Sequence, residues 1–85
     1  MSLGLAISKV AFYTIMTLSY TQKISELEGQ IPGALNNPKL QFEIQSQLNI
    51  FKTLLRMFKD FLEFWKEVIK NFLAMLKLFD DIIRK

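Results

Sequence analysis

Neither cysteine nor histidine occurs anywhere in this chain of 85 residues. Disulfides are therefore excluded, and the usual zinc and haem ligands are missing, so no metal or cofactor is expected. The lack of cysteine fits any redox compartment and places the protein neither inside nor outside a cell. Glycine occurs three times and proline twice, too sparsely for a phosphate-cradling glycine loop. Catalysis would have to rest on carboxylates, lysines and hydroxyls without a histidine or thiol. The clearest carboxylate pair, Asp80 and Asp81, occupies adjacent positions that point about 100° apart on a helix, and it reads as surface charge near the C-terminus. An enzyme is not expected, nor a small-molecule substrate.

Charge of one sign is also scarce. The formal net charge is +3, and the excess lies after Pro38, because Lys9 and Lys23 balance Glu26 and Glu28. The cations of the second half alternate along the chain with Asp60, Glu63, Glu67, Asp80 and Asp81. Nucleic-acid binding calls for basic residues gathered without such interleaving, so no nucleic-acid partner is expected. At 51% hydrophobic the chain is too apolar to be disordered and suits one folding unit over residues 1–85. A unit this small, without disulfides or metal, looks to oligomerisation or a membrane surface for support.

From Leu3 to Tyr20 the only charge is Lys9, and the apolar residues are diluted by Ser8, Thr14, Thr17 and Ser19. Lys9 stands too late, and no Ala-x-Ala follows, for a cleaved signal peptide. The length is that of a transmembrane helix if Lys9 and the hydroxyls are tolerated. A helix buried in a bundle or assembly is the preferred reading, with Gly4, Ala6, Ser8 and Ala11 allowing close approach of neighbours. Ile24, Leu27 and Ile31 carry an apolar stripe onward, so the spacing predicts a helix over about residues 3–28. Gly29 is expected to take the left-handed conformation that ends many helices, with Pro32 close behind. The connector 29–36, holding Gly29, Pro32 and Gly33, is the only real break and is short enough to fold two helices back as neighbours.

Asn37 and Pro38 then open a second helix, predicted over about residues 38–84. The Asn37 side-chain oxygen can cap free backbone N–H groups, and Pro38 fits the first helical position, where its missing N–H costs nothing. From Ile44 the apolar residues Leu48, Phe51, Leu55, Phe58, Leu62, Trp65, Ile69, Phe72, Leu76, Phe79 and Ile83 recur at alternating steps of three and four, a heptad seam. With Leu48 at position a and Phe51 at d, Leu54, Phe61, Val68, Met75 and Ile82 fall at g, while Ile50, Met57, Phe64 and Leu78 fall at c. The apolar face spans about 160°, wider than a two-stranded coil requires. Trp65 occupies a seam position, so packing explains it better than an aromatic stacking platform. Arg56–Asp60, Lys59–Glu63, Lys77–Asp81 and Asp80–Arg84 lie four apart on the polar face, each pair worth about 0.2–0.5 kcal/mol.

The second helix would be roughly 70 Å long against roughly 40 Å for the first, leaving about 30 Å unpaired. The seam from Leu48 to Ile83 is accordingly assigned to contacts between subunits. Self-association, a protein partner or a lipid surface must cover it.

The order of parts resembles needle subunits of bacterial type III secretion systems. The matching residues are Asn37-Pro38-x-Leu40-x-x-x-Ile44-Gln45-x-x-Leu48-Asn49, together with Met75-Leu76-Lys77 running to Asp81-Ile82-Ile83. The resemblance implies a hairpin that polymerises into a hollow secreted tube, with Asn37 and Pro38 shaping the turn and the C-terminal heptads making subunit contacts. It also implies a secreted or surface-associated location. The chain departs from that family in its apolar start and in a longer second helix richer in Phe. Another self-assembling helical protein, pilin-like or a viral coat of stacked hairpins, stays open. The expectation is an all-α two-helix hairpin that assembles into a homo-oligomer or polymer. The alternatives are a membrane-active or membrane-anchored amphipathic protein and a helical adaptor or chaperone.

Overall fold

A computed structural model describes residues 2–84 and shows an all-α hairpin. Helix α1 runs Leu3–Gly29 and helix α2 runs Pro38–Ile83, joined through a single 3-10 turn at Pro32–Ala34. The molecule is a rod of 73 × 16 × 14 Å, so α2 sets its length.

Local chemistry explains both helix starts. The Ser2 hydroxyl accepts the Leu5 N–H at 3.1 Å, and the Asn37 side chain accepts the Leu40 N–H at 3.2 Å. Each satisfies one of the donors that an α-helix leaves free at its N-terminus. Pro38 sits in the first turn of α2, as its fixed φ and missing donor favour. The expectation for Gly29 is corrected. It is the last residue of α1, and no residue among those described has a positive φ. The chain leaves α1 through right-handed geometry at Gln30 and Ile31, winds on into the 3-10 turn, and has no need of a left-handed residue. The break comes instead at Asn37, whose φ of −129° and ψ of 91° are extended.

What holds the turn is Ala34, which is wholly buried. It lies in one cluster with Ile24 and Leu27 of α1 and Ile44 and Leu48 of α2, flanked by Ile31, Phe51 and Leu55. Burying each of the larger side chains stabilises the fold by about 1.5–3 kcal/mol. Gln41 Nε2 adds a hydrogen bond to the Leu35 carbonyl oxygen at 3.2 Å, tying the connector to the first turns of α2.

Beyond this cluster the helices run antiparallel. Tyr20 stacks on Phe58 at 5.4 Å and lies tilted on Phe51, while Tyr13, further from the turn, meets Phe58 and Phe61. The face that α1 turns to its partner is itself a heptad stripe: Leu3, Ala6, Val10, Tyr13, Thr17, Tyr20, Ile24 and Leu27 recur at steps of three and four, and every one is buried or half-buried. Two such stripes pair along their length in the manner of an antiparallel coiled coil.

Pairing ends where α1 ends. Phe72 is half-buried, and every residue from Leu73 to Arg84 is exposed. That free end measures about 18 Å at 1.5 Å per residue, shorter than the 30 Å expected from helix lengths alone. The connector supplies the difference, because its Ala34 turn covers the first turns of α2 that α1 does not reach.

Candidate assembly surface

The heptad seam assigned to subunit contacts divides in two. From Leu48 to Phe72 it faces α1: Leu48 and Leu62 are buried, and Phe51, Leu55, Phe58, Trp65, Ile69 and Phe72 are half-buried. Leu76, Phe79 and Ile83 are 49%, 63% and 66% exposed. Only this last part of the stripe is free for a neighbour. Of the turn residues, Gly29 closes α1, Pro32 and Gly33 lie in the 3-10 turn, and Asn37 with Pro38 opens α2. These five shape the turn and are all exposed.

Among the described residues three extended apolar surfaces remain uncovered, apart from Leu35 and Phe42, which are exposed near the turn. The first is the flank of α2 formed by positions g and c. Ile50, Met57, Phe61 and Phe64 are exposed there. Phe61 stacks on Tyr13 at 5.4 Å, and Phe12 stands edge-on to Tyr13 at 5.2 Å. The flank is thereby carried across the hairpin onto α1, with Leu5 one heptad before Phe12. A shallow groove lined by Tyr13, Asp60, Phe61, Phe64 and Trp65 runs along it. The second surface is the outer side of α1, where Ile7, Ile15 and Leu18 are more than half exposed. Lys9, four residues after Leu5 and three before Phe12, lies beside the α2-facing stripe on the first surface and is half-buried. The outward side of α1 from Gly4 to Ser19 thus carries no charge. The third surface is the free end of α2.

Charge occupies the other flank. Every Lys and Arg of α2 from Lys52 to Arg84 falls at heptad position e or b, on the side of the seam away from g and c. Lys52, Lys59 and Lys66 mark it at intervals of one heptad. The interleaving seen along the chain is therefore sorted by the helix. Asp60, Glu67 and Asp81 go to position f, and only Glu63 and Asp80 stand among the cations. Those two form the ion pairs, Glu63 with Lys66 at 3.5 Å and Asp80 with Arg84 at 3.2 Å. Of the pairs expected four apart, Asp80–Arg84 is formed, while Glu63 turns to Lys66 rather than Lys59. All are solvent-exposed, where such a choice changes the energy by only a few tenths of a kcal/mol, about 0.2–0.5.

Polar groups within the apolar surfaces are mostly silenced locally. Thr14 and Thr21 donate their hydroxyls to the carbonyl oxygens four residues back, Val10 and Thr17, at 2.7 and 2.8 Å. Thr17 Oγ1, on the α2-facing stripe, is buried without a partner.

Sequence reasoning caught only the Ile24–Leu27 end of the α1 stripe and missed Tyr13 and Tyr20, which build the aromatic contact between the helices. Their signal was legible: Ala6, Tyr13, Tyr20 and Leu27 stand at intervals of one heptad. Among the described residues α1 is also the one helix long and apolar enough to cross a membrane. No family model, no curated protein and no solved structure matches this chain.

Proposed function

We propose that this chain is a non-enzymatic structural subunit that self-assembles, through its uncovered apolar surfaces, into a filament, tube or shell. The observation that carries this reading is the flank of Ile50, Met57, Phe61 and Phe64, continuous through Tyr13 with Phe12 of α1. A hairpin leaves it in water, although covering each of these side chains is worth about 1.5–3 kcal/mol. Large apolar patches on one side of a small protein mark a contact surface, and a second hairpin offers an apolar surface of the same length. The opposite flank, with its row of lysines, keeps such an assembly soluble and one-sided. The resemblance to needle subunits supplies one form for the assembly, a hollow secreted tube with Asn37 and Pro38 at the turn.

Sedimentation velocity and negative-stain electron microscopy of the purified chain test this. Ordered particles or concentration-dependent growth are expected, and a monodisperse 10.0 kDa monomer at all concentrations in plain buffer would overturn it.

One observation favours a second reading. Helix α1 is long and apolar enough to cross a membrane, and a hairpin bearing such a helix can embed in a lipid interface with its lysines at the headgroups. Co-sedimentation with anionic vesicles separates the two: binding in place of self-association supports the membrane reading.

A further inference from the structure

The free end of α2 carries information about what covers it. We propose that it docks on the same segment of a second copy, antiparallel and about a two-fold axis, joining two hairpins end to end. This contact rests on the self-assembly reading and specifies its first step.

The seam from Leu48 to Phe72 is the established interface with α1, and Leu76, Phe79 and Ile83 continue it past the point where α1 stops. The position next to them is thus the position α1 would occupy if it were longer, and a helix is the shape that fits. A parallel copy is excluded by volume. Its α2 would have to run back through the space that α1 fills. An antiparallel copy approaches from beyond the free end and stops where α1 begins.

The register follows from the residues. Antiparallel heptad seams place an a residue against a d residue. Setting Leu76 opposite the second copy's Phe79 also sets Ile83 opposite its Phe72, and the symmetry repeats both layers. The flanking g positions then bring Met75 against the second copy's Ile82, so these exposed apolar residues, 70% and 63% in the free hairpin, cover each other. On the other flank Lys77 comes beside the second copy's Asp80, an attraction between opposite charges.

In this register the C-terminal end of α2 meets the N-terminal end of the second copy's α1. The negative end of one helix dipole thus faces the positive end of another. The free segment of about 18 Å is consumed entirely by its own copy. The result is a rod of four helices with its two turns at the far ends. The long apolar flanks stay open for lateral growth.

An overlap of two heptads buries less than the 1,200–2,000 Å² of a standard interface, so the dimer dissociates on dilution. Sedimentation velocity combined with small-angle X-ray scattering over a concentration series tests it. The expected smallest associated species is a dimer about 130 Å long, two 73 Å rods overlapping by about 18 Å. Phe79→Asp, at an exposed position, is expected to raise its dissociation constant at least tenfold while leaving the helical circular dichroism of the hairpin unchanged. Oligomers no longer than about one rod, or association indifferent to Phe79→Asp, would overturn the end-to-end contact while leaving self-assembly standing. A monomer at every concentration would overturn both.

Discussion

Asn37 decides where the chain reverses. It is the residue at which right-handed geometry gives way to an extended conformation, and its side chain immediately restarts a helix by accepting the Leu40 N–H. Replacing it with alanine removes the acceptor, and Asn37→Ala is expected to lower stability by about 1 kcal/mol, with Asn37→Asp close to neutral. Chemical denaturation of the three proteins checks this. Thr17 presents the opposite case, a hydroxyl oxygen buried on the α1 stripe with no partner. Valine keeps the branch and discards the unsatisfied group, so Thr17→Val is expected to raise stability by about 1 kcal/mol, visible as a higher melting temperature. Both residues show how far local sequence can be read. Asn37-Pro38 declares its role because capping and the φ of proline are local physics. Gly29 misleads because the path beyond it is set by Ala34, which is drawn into a cluster built from both helices.

The two helices are held unequally along their length. The cluster of Ile24, Leu27, Ala34, Ile44 and Leu48 holds five of the seven buried hydrophobic residues among those described, and no large side chain among them is completely sealed from solvent. Leu48→Ala should therefore destabilise the hairpin by about 2–4 kcal/mol through lost burial and a residual cavity. Leu78→Ala, on the exposed end of α2, should change it by less than about 0.5 kcal/mol. Thermal and denaturant unfolding compare the pair directly. The period of α2 was legible because its seam is made of large apolar residues without interruption. The stripe on α1 was harder to see, because Thr17 and Ala6 stand in it while Ile15 and Leu18, more conspicuously apolar, face outward. Hydropathy ranks residues by type, and of the small residues expected to allow close approach only Ala6 faces α2, while Gly4, Ser8 and Ala11 are exposed.

At the scale of the whole rod, residues divide by heptad position into an apolar flank and a basic flank. That division is present in the sequence but invisible in linear order, since the acids interleave with the lysines until the helix turns them to position f. Phe61→Lys would place a charge in the middle of the apolar flank, beside Tyr13. It is expected to abolish lateral association, read as loss of the large species in sedimentation, with the end-to-end dimer retained. The length of the free end was overestimated for a reason of the same scale: helix lengths are local, but coverage by the connector is tertiary.

The contrast between a dense turn end and a free end with no partner sets an order in time. Contacts near the connector close the shortest loops, so folding is expected to start there and proceed outward to Ala6 and Phe72. Opening runs the other way. Amide hydrogen exchange should show protection greatest around Leu27 and Leu48, declining through Tyr20 and Tyr13, and least from Leu73 onward. A neighbour that engages the free end would reverse the slope there, turning the last segment to order into one of the more protected.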